Sequence, residues 1–327
     1  MKEIAIIIIN WNGKELLKDC LESLRAQTHQ NFRIILVDNG STDDSVFFVK
    51  ENYPKVEIIN LIENTGFAYA NNIGIQKAFA NQETKHVLFL NNDTKADQFF
   101  LENLVKAIEE NSEFSIFQPK VLRMDNPLVI DTAGIALHWS GLAFNLGDGK
   151  EAENFENNQE IFAANATASI FSREALEKIN LSEGEYFDND YFAYYEDVDL
   201  GWRLRLQGKK CLYVPNAVIY HKHSATGKRI STAKLFWIQR NSLATQIKNL
   251  SFCRLMMMFF TLPLRYIFAT FKNRGNLFAF LKAVVKSWIY IIANLKSILK
   301  KRRFIQSNKR VSNQEIKSWF KKYKINF

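Results

Sequence analysis

Asp93 stands behind Asn91 and Asn92 at the end of a short apolar run, residues 87–90. A carboxylate flanked by amide oxygens at a strand end suits a hard divalent cation that also holds phosphate oxygens. The same triplet could be an Asx turn leading into a helix that starts near Ala96. Asp38 ends a second apolar run. Its carboxylate can accept two hydrogen bonds, from ribose hydroxyls or a base N–H, or can serve as a turn or N-cap residue. The third group is denser: Asp188, Asp190, Glu196, Asp197 and Asp199 lie among Tyr191, Phe192, Tyr194 and Tyr195. One carboxylate near a metal site, but not in it, could take the proton from a hydroxyl nucleophile. Carboxylates at a helix start are also favoured by the helix dipole, so a structural role is open. His221 and His223 alternate along a strand end, and two such imidazoles can bind a metal. They could also be ordinary surface histidines.

The elements that must hold these groups alternate. Residues 4–9 form a β-branched run suited to a central parallel strand buried on both faces. A helix over 14–27 follows, then a strand over 32–37, a helix over 44–52, a strand over 56–61, a helix over 67–80 and the strand before Asp93. This β-α series predicts an α/β fold with a mostly parallel sheet and helices on both faces. In such sheets ligands bind beyond the carboxyl ends of the strands, where Asn10, Asp38 and Asp93 stand. No Gly-x-Gly-x-x-Gly or P-loop sequence occurs there, which excludes the usual dinucleotide-binding and P-loop classes. Further on, 117–123 reads as a strand, 131–148 as a hairpin or loop, and 151–160 as a mobile loop. Residues 162–171 read as a strand of small residues, 198–207 as an amphipathic helix, and 210–214 and 218–220 as two more strands.

Taken together, the motifs resemble family 2 glycosyltransferases with a GT-A fold, of the type that includes bacterial rhamnosyltransferases. The resemblance rests on Ile8-Ile9-Asn10-Trp11-Asn12-Gly13, on Val37-Asp38-Asn39-Gly40-Ser41-Thr42-Asp43, and on the run from Asn64-Thr65-Gly66 to Asn71-Asn72-Ile73-Gly74. It continues in Leu90-Asn91-Asn92-Asp93 and in Tyr195-Glu196-Asp197-Val198-Asp199-Leu200-Gly201-Trp202-Arg203. It covers about residues 3–245. It implies a nucleotide-diphospho-sugar donor, with dTDP-rhamnose as its suggestion, bound by Asn10, Trp11, Asn12, Asp38, Asn39, Asn64, Gly66, Asn71, Asn91 and Asn92. It implies a divalent metal, Mg or Mn, at Asp93 with His221 or His223 near the diphosphate. Asp197 is the implied base with Glu196 in support, and Trp202 a wall for the acceptor sugar. Small residues in 162–171 would let the donor sugar approach. Asn91 stands where the family's metal motif has its first Asp.

The net charge of +9 is unevenly placed. Residues 1–221 carry 20 basic and 33 acidic groups, −13, and residues 222–327 carry 23 and 1, +22. This predicts a catalytic domain over 1–245 and a basic helical region over 246–327. Lys282, Lys286, Lys296 and Lys300 fall within about 80° on a helix over 277–301, with Val284, Trp288, Ile291, Ile292 and Leu295 opposite. A basic amphipathic helix lying on an anionic membrane is expected, rather than a transmembrane span. Packing on the body or on a second subunit of a homo-oligomer is the alternative. With three scattered cysteines and no signal peptide, the expected place is the cytoplasm, peripherally at the inner membrane face, with a polysaccharide or lipid-linked acceptor. A nucleic-acid-binding protein is a competing reading of the basic tail, although no nucleic-acid motif is found. An inactive GT-A binding module is the third.

Overall fold

In the computed structural model, which describes residues 3–222, 232–272 and 277–321, the first strand divides the core in two. Along β1 (Ile4–Asn10), Ile4, Ile6 and Ile8 face one side and Ala5 and Ile7 the other, all buried. That is the alternation of a strand. Each buried Ile contributes roughly 1.5–3 kcal/mol, so β1 is anchored from both faces. α1 (Lys14–Arg25) lays Leu17, Cys20, Leu21 and Leu24 on the Ile4 side. The series continues with β2 (Phe32–Asn39), α2 (Ser45–Asn52), β3 (Glu57–Leu61), α3 (Phe67–Ala80) and β4 (His86–Asn91). α3 covers the opposite face with Ala68, Ala70, Ile75 and Ala78. β4, β1, β2 and β3 are parallel neighbours, with Asn10 level with Asp38 and Ile9 level with Asn91. Their polar carboxyl ends therefore share one edge.

The chain then runs through β5 (Thr94–Ala96), α4 (Phe100–Glu110), β6 (Ile116–Arg123), β7 (Asn126–Thr132), β8 (Ile135–His138), β9 (Ala143–Asn145) and β10 (Gln159–Ile161). Next come β11 (Ala168–Ser172), α5 (Arg173–Glu177), α6 (Glu196–Leu206) and β12 (Cys211–His221). The main sheet has the order β10-β12-β6-β11-β4-β1-β2-β3, with β5 on β12 and β7 on β6. β11 is antiparallel to β4, so the sheet is mixed but mostly parallel. Three expectations need correction. Residues 151–160 are not a loop throughout: they hold a 3-10 turn, Ala152–Phe155, that buries Phe155, and the start of β10. Of 162–171 only the last four residues, 168–171, are strand. The two strands expected around 210–220 are one, β12, which carries an irregularity between Val214 and Val218.

The C-terminal part holds α7 (Thr232–Asn249), α8 (Phe252–Lys272), α9 (Leu277–Ala293), α10 (Leu295–Ser307), α11 (Asn313–Ser318) and β13 (Phe320–Lys321), which joins β8 and β9 in a small sheet. The expected boundary at 245 cuts through α7. Beyond it, Leu255, Ile291, Ile298, Ile305 and Trp319 belong to the same apolar cluster as α3 and α6. The helix expected over 277–301 is also broken, with α9 and α10 meeting at 71° around Asn294. The bend lets both helices bury a face, Phe280 and Ala283 from one and Ile298 and Ile305 from the other. The four lysines are exposed, but on two axes rather than one.

Candidate active site

The strand ends form a wired polar edge. Asn10 Nδ2 donates to Asp38 Oδ1 (3.1 Å) and Ser41 Oγ (3.2 Å), and Asn10 Oδ1 accepts from Asn92 Nδ2 (2.9 Å). Asp38 Oδ2 accepts from the Ser41 N–H (3.0 Å). Asn39 Oδ1 accepts from the Thr65 N–H (2.9 Å), and its Nδ2 donates to Asn64 Oδ1 (3.1 Å) and Gly66 O (3.2 Å). Asn10, Asp38 and Asn39 are buried. A satisfied buried polar network rigidifies what it joins, so these three brace the loops. Trp11 and Asn12 are exposed, and Asn64, Asn91, Asn92 and Asp93 half-buried. Asn12 Oδ1 also accepts from the Thr42 N–H (2.8 Å), which ties the first loop to the second. Asn71 does not join this edge: it is buried and donates to Phe67 O within α3. Its neighbour Asn72, not singled out by the sequence reading, accepts from the Tyr186 and Phe187 N–H groups and donates to Phe187 O and Asn189 Oδ1. It fastens α3 to the acidic segment.

β5 and β12 pair antiparallel with His221 opposite Thr94, which brings the imidazole to Asp93. His221 Nε2 lies 3.2 Å from Asp93 Oδ1 and Nδ1 lies 2.7 Å from Asp131 Oδ2. Burial opposes a charge on this ring, but Asp131 and Asp93 outweigh it and raise its pKa from 6.5 to about 9. In the sequence Asp131 only opens a stretch that reads as a hairpin or loop. Its partnership depends on β7 folding back on β6, which no local signal announces. His223 lies outside the described residues. Among those described, no group of three or more His, Cys, Asp or Glu side chains could by itself hold a metal ion.

The acidic segment is clamped from behind by α7. Asn241 Nδ2 donates to Ala193 O (2.9 Å) and Tyr194 O (2.7 Å), and Arg240 Nη2 donates to Asp190 O (2.9 Å). Phe192 stacks on Trp237 at 4.8 Å, and the Phe67 N–H donates to Phe192 O (2.6 Å). Tyr194 and Tyr195 both have left-handed backbones, φ 68° and 69°. Such conformations persist where the surroundings over-determine them. Gly66 allows the close approach. Its φ is +85°, and a β-carbon there would stand 2.5 Å from Phe192 O. Gly66→Ala is expected to cost about 1–3 kcal/mol, read as a lower melting temperature.

The segment ends at Glu196 and Asp197. Asp197 Oδ2 accepts from the Ala166 N–H (3.3 Å), and the next residue's carbonyl, Thr167 O, accepts from the Asn91 N–H (2.9 Å). Residues 166–167 thus join Asp197 to the strand end that carries Asp93. Asp197 is half-buried, and burial raises its pKa against the pull of its backbone hydrogen bonds. Glu196 is buried, and its Oε2 has no hydrogen-bond partner among the described residues. Burial first, and the Asp197 charge second, push its pKa up to about 8. Burial thus raises both carboxyls of the pair, and Glu196 holds its proton into the neutral range.

The remaining acids are structural. Asp199 pairs with Arg203 (2.8 Å) and Lys248 (2.9 Å), and Asp188 pairs with Lys248 and Lys301. Trp202 cannot be the expected wall for a sugar. It is 1% exposed and sits edge-on to Phe162 and Phe320 in the core. The small residues before β11 serve a close approach of helix α6: a β-carbon on Gly201 would overlap Ala163. A cavity of about 190 Å³ lies elsewhere, lined in part by Ile161, Phe162, Arg205 and Trp319, and shares no residue with this site.

The model of the family described as Glycosyl transferase family 2 matches residues 5–180. "Glycosyltransferase GlyG" of Streptococcus pneumoniae serotype 4 is 23% identical over 231 residues, 68% of this chain and 72% of that protein. "Teichoic acid poly(glycerol phosphate) polymerase" of Staphylococcus epidermidis is 33% identical over 136 residues, 38% of this chain but 18% of that much longer protein. Among solved structures, GalNAc-T7 with UDP, GalNAc and Mn2+ superposes with a TM-score of 0.60 at 17% identity, over 76% of this chain and 48% of that one. The mannosyltransferase PcManGT from Pyrobaculum calidifontis, in complex with GDP-Man and Mn2+, gives 0.54 at 17% identity, over 93% and 83%. At that identity the likeness concerns the GT-A fold alone.

Proposed function

The chain belongs to glycosyl transferase family 2, and from that footing we propose that it moves a sugar, with inversion, from a nucleotide-diphospho-sugar to a hydroxyl of a cell-surface polysaccharide or lipid-linked acceptor. The observation that carries the reading is the link through residues 166–167, which sets the Asp197 carboxylate beside the strand end bearing Asp93. Trp11, Asn12, Asn64, Asn91 and Asn92 are the accessible groups for the nucleoside and diphosphate, braced by Asn10, Asp38 and Asn39. Asp197 accepts the acceptor hydroxyl's proton while the new bond to the anomeric carbon forms and the bond to the diphosphate breaks. A rhamnosyl donor rests on the resemblance in the motifs, and a cell-surface polymer as acceptor on relatives named for teichoic acid and O-antigen synthesis.

The residues fit a divalent cation. Asp93 offers a buried carboxylate oxygen with no hydrogen-bond partner among the described residues, and His221, held on Nδ1 by Asp131, would ligate through Nε2 once the ion displaces the proton that now faces Asp93. Two such groups leave room for diphosphate oxygens and water. When bound, the ion would neutralise charge on the leaving diphosphate. A lipid-linked acceptor would place the enzyme peripherally at the inner face of the cell membrane.

Calorimetric titration with UDP, dTDP and GDP, with and without Mn²⁺, tests the donor site. One nucleotide is expected to bind in a metal-dependent way, and Asp93→Ala to weaken it by at least about tenfold. If no nucleotide binds the wild type with metal present, the donor-site reading is wrong.

A further inference from the structure

Fourteen of the twenty-two exposed large apolar side chains among the described residues fall between Phe252 and Phe304. On α9, Phe278, Leu281, Val285, Ile289 and Ile292 recur every three or four residues and are exposed, while Phe280, Ala283 and Ile291 turn inward. The helix is apolar on both faces, and the fold uses only one. On α8, Phe252 and Phe260 are 68% and 83% exposed. Trp288 Nε1 donates to Tyr266 Oη (3.1 Å), which ties α9 to α8. Lys282 and Lys286 are exposed on α9, and Lys296 and Lys300 on α10. A soluble surface rarely leaves so much apolar area in one region without a partner.

We propose that the outward faces of α8 and α9 seat on an anionic lipid bilayer, apolar side chains in the headgroup–acyl boundary and lysines among the headgroups. This rests on the reading of a membrane-side acceptor and specifies the surface that meets the membrane. Charge selects the occupant: residues 222–327 hold 23 basic groups against 1 acidic, and those not spent on the body's acids, as Lys248 and Lys301 are, attract an anionic interface that repels the acidic residues 1–221, which orients the molecule. A nucleic acid would use the lysines but leave the phenylalanines and isoleucines in water. No single described helix is long and apolar enough to cross a membrane. The α9–α10 pair passes that test by length and composition, but it bends by 71°, and Lys296 and Lys300 follow the bend. Lying flat keeps these charges at the interface.

The test is sedimentation of the full chain with vesicles of phosphatidylcholine alone, or with about one third phosphatidylglycerol. The chain is expected to sediment with the anionic vesicles and less so at high salt. The combined variant Phe260→Ser, Phe278→Ser, Ile289→Ser should lower vesicle binding by at least about tenfold. All three side chains are exposed, so its melting temperature and its nucleotide binding should stay at wild-type values. Vesicle binding unchanged in the variant, or no binding to anionic vesicles by wild type, overturns the proposal. So does a wild-type dimer in sedimentation velocity that the variant abolishes without lipid, which would make a second copy the occupant. Nucleotide titration is read separately, so a failed donor site and a failed membrane surface are told apart.

Discussion

Asp197→Asn is expected to lower kcat by about 10²–10⁴-fold, the usual contribution of a positioned general base. The amide keeps the size of the side chain but only one acceptor for the Ala166 and Val198 N–H groups, which the two carboxylate oxygens now serve, so some stability is lost while nucleotide affinity should stay near wild type. Steady-state rates with saturating donor, set beside a nucleotide titration, separate the two. A variant with full activity would remove Asp197 from the mechanism.

The pH dependence carries a second signature of the pair. Asp197 must be ionised to act, and burial raises its pKa, so the rate should rise with pH later than an exposed aspartate would allow. Stability should run the other way. A carboxyl whose folded pKa is raised favours the folded state below its unfolded pKa, and that contribution is lost as pH rises through the folded value. For Glu196 the window lies between 4.5 and about 8. Glu196→Gln, which cannot ionise, should flatten the decline in melting temperature across it.

Lys248→Met is expected to destabilise the protein by about 3–5 kcal/mol, the range for breaking a buried ion pair by removing one partner. Lys248 is 1% exposed and bridges Asp188 and Asp199, both buried. Methionine fills the space but leaves two buried carboxylates short of charge, with Lys301 and Arg203 as their remaining partners. Burial works to raise Asp188, and Lys248 and Lys301 hold it below its usual 3.8. Its stabilising contribution is present above that value and fades as pH falls below it. The gap between variant and wild type, measured by denaturant titration, should therefore narrow in acid. Lys300→Met, one residue from Lys301 but exposed, should change stability by no more than about 0.5 kcal/mol.

The parallel half of the fold was legible because β1 to β4 and their helices carry periodic, local signals. The strand-end residues were legible for the same reason: a polar triplet after an apolar run must lie at an edge. What escaped was set by distant pairing. Asp131 reaches His221 only because β7 returns along β6. Lys248 and Lys301 read as parts of a basic tail, yet each goes to an acid more than fifty positions away. Trp202 stands in the same motif as the proposed base, and the motif alone does not tell an inward side chain from an outward one. On α6, Trp202 points into the core, packed against Phe162, whereas Asp197, in the first turn, stays partly open. Whether the basic tail packs on the body was equally illegible, since composition reports charge and not which neutral faces are shared with the core.

Lys301 also has a meaning in time. Asp188 and Asp190 leave the ribosome more than a hundred residues before the cation that meets both of them. During synthesis the segment leading to Asp197 must wait with its acids incompletely neutralised, although every residue of the sheet edge is already made. A nascent chain stopped between the end of α7 and residue 301 would carry the whole polar strand edge and His221, but an acidic segment short of one of its cations. On the proposed reading, such a fragment is expected to bind nucleotide better than it transfers sugar.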